Sequence, residues 1–131
     1  MCHIFTQIYF PKYHQNTNAW FFVYLFEAIC VNHHFTKDEK ASLYGKLCKS
    51  LKKDGYFILT DYFALSEDEE LTHRTEFEKL KREQGIHDGE FYHFDTPLTV
   101  SHETEALLSG GFSSVDVICN WGATYTLKAI K

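Results

Sequence analysis

No two cysteines stand in a C-x-x-C spacing: Cys2, Cys30, Cys48 and Cys119 are scattered along the chain. That pattern argues against a zinc knuckle or a dense disulfide framework, and leaves reduced thiols, two or three of them buried. The histidines also lack ligand spacing. None of His3, His14, His33, His34, His73, His87, His93 and His102 has a partner four residues away, the separation that puts two imidazoles on one helix face, so no metal site is expected. Positive charge is in short supply too. A formal net charge of -5 gives no broad field for a phosphate backbone, and nucleic acid is not expected as a partner. The apolar run from Ala19 to Val31 is interrupted by Glu27 and falls short of the ~20 residues of a membrane-spanning helix. The N-terminus shows no basic region followed by a cleavage site. A soluble, cytoplasmic protein with no membrane partner is the expectation. Repeats, low-complexity segments and linkers are absent as well.

A chain of 131 residues has room for one domain around a single core. Its aromatics are concentrated in Trp20, Phe21, Phe22, Tyr24 and Phe26, side chains large enough that the stretch reads as core. Residues 1–19 form a poorly defined segment. Ile4, Phe5, Ile8, Tyr9 and Phe10 lead into Pro11 and a polar run, which reads as a short strand or helix and then a loop. From Trp20 to Val31 apolar residues follow one another almost without alternation, as in a strand buried on both faces of a parallel sheet; a buried helix is the rival reading.

Thr36-Lys37-Asp38-Glu39 is a capping-box pattern that opens a helix. Leu43 or Tyr44, Leu47, Cys48 and Leu51 form its apolar stripe, Lys52 and Lys53 its cationic end, and Gly55 its stop. Tyr56–Phe63 reads as a second buried strand, so strand, helix and strand make a βαβ unit with a right-handed crossover. A second capping box, Ser66 to Glu69, opens a charged helix through about Gln84. Its thin stripe of Leu71, Phe77 and Leu80 marks it as a surface helix or cover. The loop from Gly85 to Pro97 carries Phe91, Tyr92 and Phe94, aromatics that must rest on something. Thr99 or Ser101 caps a third helix that ends at Gly110-Gly111. Phe112 with Val115, Val117 and Cys119 in alternation, a tight turn at Trp121-Gly122, and Tyr125, Leu127 and Ala129 on one face then give two strands forming an antiparallel hairpin.

This ordered series resembles the C-terminal half of the class I S-adenosylmethionine-dependent methyltransferase family, over about residues 20 to 131. The resemblance rests on His33-His34-Phe35 at a strand end followed by Asp38-Glu39, on Leu51, Lys52 and Gly55 before the next strand, on Asp95-Thr96-Pro97-Leu98, and on Gly110-Gly111-Phe112. Two departures accompany it. The family's Gly-x-Gly turn with an acidic residue at the end of the next strand, which grips the cofactor, has no counterpart before Trp20. Tyr24 stands near the position where the family has an aspartate. The resemblance implies a Rossmann-like partial sheet, an α/β fold with parallel strands, crossover helices and the C-terminal antiparallel hairpin. It also implies S-adenosyl-L-methionine as cofactor and methyl transfer to a small-molecule or other nucleophilic acceptor.

By the same resemblance, Val31, Asn32 and His33 face the cofactor, while His34, Asp61, Tyr62 and Tyr92 face the acceptor, where open α/β sheets bind ligands. Each has a plainer reading. His33 and His34 are also suited to cap a strand end, Asp61 to a turn, and Tyr92, His93 and Phe94 to loop packing. The acidic run from Glu67 to Glu70 reads as a helix N-terminus favoured by the dipole, not as an acid/base pair, and Trp121 as packing at the hairpin. With the glycine motif missing, the rival function is a catalytically incompetent methyltransferase-like binding or oligomerisation module. An unrelated α/β domain binding an anion at a helix start is a third reading. The isolated chain is expected to bind the cofactor weakly or not at all, and to pair as a homodimer or with a partner chain through the edge near 20–31.

Overall fold

The computed structural model describes residues 35–87, 90 and 94–131. Helix α1 spans Lys37–Ser50, strand β1 Tyr56–Tyr62, helix α2 Glu67–Gln84, helix α3 Val100–Ser109, strand β2 Ser114–Trp121 and strand β3 Thr124–Ile130. All three helices start where a hydroxyl offers itself to an orphan amide. Thr36 accepts from the Glu39 amide at 3.3 Å while the Glu39 carboxylate takes the Thr36 amide at 2.7 Å, which completes the capping box. Ser66 accepts from the Glu69 amide at 3.1 Å, but the Glu69 carboxylate turns to the amide of Leu65 at 2.8 Å, so the second box is only half formed. Thr99, not Ser101, caps α3 by accepting from the His102 amide at 3.2 Å.

The ends depart further from expectation. Helix α1 stops at Ser50 with Leu51 already extended, ahead of Gly55; the left-handed residue beyond it is Asp54, at φ 61°. The ammonium of Lys131, 2.5 Å from the Leu51 carbonyl, adds a cation at this negative end. Helix α2 runs to Gln84 as expected, and Gly85 closes it at φ 67°, a conformation that favours glycine.

The sheet corrects the expected architecture. Its described strands stand in the order β1-β3-β2, and both pairings are antiparallel. Gly122-Ala123 returns the chain directly from β2 into β3, so β3 runs against β2, and its free edge then accepts β1. Strands β1 and β2 therefore point the same way without touching, because β3 lies between them. No parallel strand pair occurs among the described residues, and the expected parallel partner, residues 20–31, lies outside them.

One face of the sheet carries the core. Phe57 and Leu59 from β1 and Leu127 and Ala129 from β3 meet Tyr44, Cys48 and Leu51 around α1 and Ala106, Leu107 and Phe112 around α3. The two helices approach closely at Gly110, where an added Cβ would lie 2.7 Å from Tyr44 Cβ. Helix α2 buries no residue, as its thin stripe foretold. It is held by the stacked rings of Phe77 and Phe94, 5.8 Å apart, so Phe94 rests on the cover helix. Strand β2 departs from its reading: the register shifts between Val117 and Cys119, and Val117, Ile118 and Trp121 are exposed. Trp121 is therefore not a packing residue. Cys48 is a buried free thiol and Cys119 an exposed one.

Candidate functional site

Alternation along β1 sends Phe57, Leu59 and Asp61 into the layer beneath α1 and α3. Asp61 thus continues a row of core side chains to the carboxyl end of the strand and is only 4% exposed. Lys40 arrives there from α1 because it stands four residues before Tyr44, on the same helix face. Glu103 arrives from α3 because it precedes Ala106 and Leu107 by three and four residues. Lys40 and Glu103 are 2% and 1% exposed. Their contact is a buried ion pair of 2.5 Å to one carboxylate oxygen, while the Tyr44 hydroxyl donates to the other. Buried Thr96 and Thr99 lie in the segment leading into α3.

Burial pushes the Asp61 carboxyl up to about 7 from an ordinary 3.8, against the opposing pull of the Lys40 ammonium and of the Tyr62 amide. The Glu103 and Asp95 carboxylates push in the same direction as burial. The Tyr62 amide donates to Asp61 Oδ1 at 2.6 Å. An acid held near neutrality is able to accept or give up a proton in ordinary cellular conditions. Tyr62 points to the other face of the strand and is 40% exposed. Its hydroxyl donates to Glu69 at 3.2 Å, and desolvation together with that carboxylate raises its phenol above the ordinary range.

Helix α2 borders the same end. Glu70 accepts the Thr99 amide at 2.6 Å and meets His102 Nδ1 at 2.9 Å, which links the cover helix to the start of α3. A backbone bond from Ala64 to Leu98, 3.0 Å long, joins the loop after β1 to the same segment. The acidic run thus does more than favour a helix start: Glu69 and Glu70 bind the loop after β1 and the cap of α3.

Of the residues expected to form the site, the structure places Asp61 and Tyr62 side by side at the carboxyl end of β1, facing opposite ways. Val31, Asn32, His33, His34 and Tyr92, and the strand edge near 20–31 expected to pair, lie outside the described residues. Sequence reasoning missed Lys40 and Glu103, although their spacing from Tyr44 and from Ala106 and Leu107 places both on buried helix faces. Among the described residues no three histidine, cysteine or acidic side chains gather as metal ligands, and no helix is long and apolar enough to cross a membrane. No protein-family model matches the chain, and no curated protein matches it significantly.

Proposed function

We propose that the chain forms part of an S-adenosylmethionine-dependent methyltransferase domain in which the carboxyl end of β1 serves the methyl acceptor. The observation that carries this reading is Asp61, a carboxyl held near neutrality at a strand end, beside an exposed tyrosine. An acceptor hydroxyl or amine must lose its proton on methylation, and a carboxylate of raised basicity is suited to take it. Tyr62 faces the other side of β1, with its phenol on Glu69, and takes no part in that proton transfer. Alignment of the two reactants supplies most of the acceleration in such an in-line displacement.

The described residues do not by themselves fit the cofactor. They contain no Gly-x-Gly turn at a strand end, and Val31, Asn32 and His33 lie outside them. The test is an amide-resolved NMR titration with S-adenosylhomocysteine. Weak, saturable shifts confined to Asp61 through Ala64 and their neighbours support the reading; saturable shifts elsewhere that leave those residues unmoved sink it.

A binding or oligomerisation module is the second reading, and strand β2 favours it. Val117, Ile118 and Trp121 are 51%, 52% and 61% exposed on a strand that pairs on one side only among the described residues. Edges of that kind take up further strands.

A further inference from the structure

We propose that the outer face of the sheet, at the row formed by Tyr62, Thr124 and Trp121, is a docking surface for a basic polypeptide segment, one of whose arginine or lysine side chains enters between the two aromatic rings. The proposal stands apart from methyl transfer and from any cofactor.

Strand register brings the three residues together. Thr124 of β3 stands opposite Tyr62 of β1 on one side and opposite Trp121 of β2 on the other, and directly opposed residues of a ladder share a face. That face is turned away from α1 and α3, because Tyr62 alternates with the buried Asp61 along β1. Tyr62 is 40% and Trp121 61% exposed. Two large rings thus flank a short threonine, their backbones two strand spacings or about 10 Å apart. A cation seated above Thr124 has a ring on either side, within the roughly 6 Å at which an ammonium or guanidinium is drawn to an aromatic face.

Charge selects the occupant. Helix α2 opens at this corner: Glu69 accepts the Tyr62 hydroxyl at 3.2 Å, and Glu67 and Asp68 are exposed in the same first turn. Among the described residues of the three strands, the cation on this face is Lys128, two rows away, and its ammonium lies 4.7 Å from the centre of the Tyr56 ring. The face therefore sets a cation against an aromatic ring at one end, and at the other it offers rings and carboxylates to a cation from outside. Apposing two copies of this corner would bring two acidic turns together, which like-charge repulsion opposes. A basic partner meets attraction instead, and the net charge of -5 acts in the same direction.

The test is an NMR titration of the whole chain with a capped hexapeptide of alternating arginine and serine, and with the same peptide carrying glutamate for arginine. The arginine peptide should shift the Trp121 indole N–H and the Tyr62 and Thr124 amides saturably, and less so as salt is raised. Trp121→Ala is a surface change that leaves the fold standing, and it should weaken binding about twofold to thirtyfold, the loss of one cation–π contact. Glu69→Gln should weaken it as well. No shift at these positions with millimolar peptide, an equal response to the glutamate peptide, or an unchanged affinity in Trp121→Ala would each overturn the proposal. So would the same shifts on concentrating the chain alone, which would make a second copy the occupant.

Discussion

A carboxyl that prefers its proton in the folded state leaves a signature in how stability responds to pH. For Asp61 the folded value stands above the unfolded one, so between roughly 4 and 7 the native chain binds more protons than the unfolded chain, and this group's contribution declines as pH rises. The contribution is fully present below the unfolded value and is lost above the folded one. A rise from 3.8 to about 7 corresponds to about 4 kcal/mol at roughly 1.4 kcal/mol per pH unit. Asp61→Asn, which keeps the shape and removes the charge, is therefore expected to flatten the profile: little change in mild acid and a gain of a few kcal/mol above neutrality. Urea unfolding at a series of pH values measures it, and a profile as steep as the wild type's would place the effect elsewhere. The partner residue behaves in the opposite way. Lys40→Met strands Glu103 as a buried anion and should cost about 3–5 kcal/mol, whereas Lys40→Met with Glu103→Leu should recover most of that loss. Equal losses in the single and the double variant, read from the same unfolding curves, would show that the ion pair is not what matters.

Elements obeyed their local signals closely, and their arrangement did not. Thr36, Ser66 and Thr99 each cap a helix because a hydroxyl three residues before an orphan amide reaches it whatever surrounds it. Helix α2 was readable as a cover from the poverty of its apolar stripe. The sheet order was not readable, since a helix-length connection tells which way the next strand points but not which strand intervenes. A two-residue turn gave β3 one neighbour, β2; its second neighbour, β1, is fixed only by packing between Phe57, Leu59 and Leu127. Half of the site was legible for a similar reason. Asp61 was visible at a strand end, but Lys40 and Glu103 were hidden by their type, because charged residues on helices are mostly solvated. Helix α2, with no buried residue, should open locally: hydrogen exchange is expected to be fast along it and slow in α1 and α3. Uniform protection across all three helices would contradict this. The α1–α3 contact is the tight one. Gly110→Ala must push its methyl against Tyr44 Cβ, at 2.7 Å, and the Tyr44 backbone, at 2.9 Å. A loss of about 1–3 kcal/mol is expected from such overpacking, and unchanged thermal unfolding would mean that the helices give way freely.

At the level of the whole molecule, the described part is a three-stranded sheet with α1 and α3 on one face and a strand edge whose apolar side chains meet solvent. Ile118 sits at the register shift and contributes little to the core, so Ile118→Lys should leave stability within about 0.5 kcal/mol, as surface changes usually do. If β2 is an association edge, the same change should abolish any concentration dependence of the sedimentation coefficient, because a charge on an edge strand opposes pairing. A variant that sediments as the wild type does at every concentration would remove β2 as a contact surface. The order of the strands also bears on how the chain comes into being. The middle strand is the last of the three to be synthesised, so a nascent chain that has made β1 and β2 has two segments that both still lack β3, the strand each of them pairs with. Sheet closure must wait for Thr124 to Ile130 to leave the ribosome, and joining β1 to β3 then closes a loop of more than sixty residues. Contacts of that sequence separation slow folding, and until they form, the apolar side chains and unpaired edges of β1 and β2 are open to association with other chains.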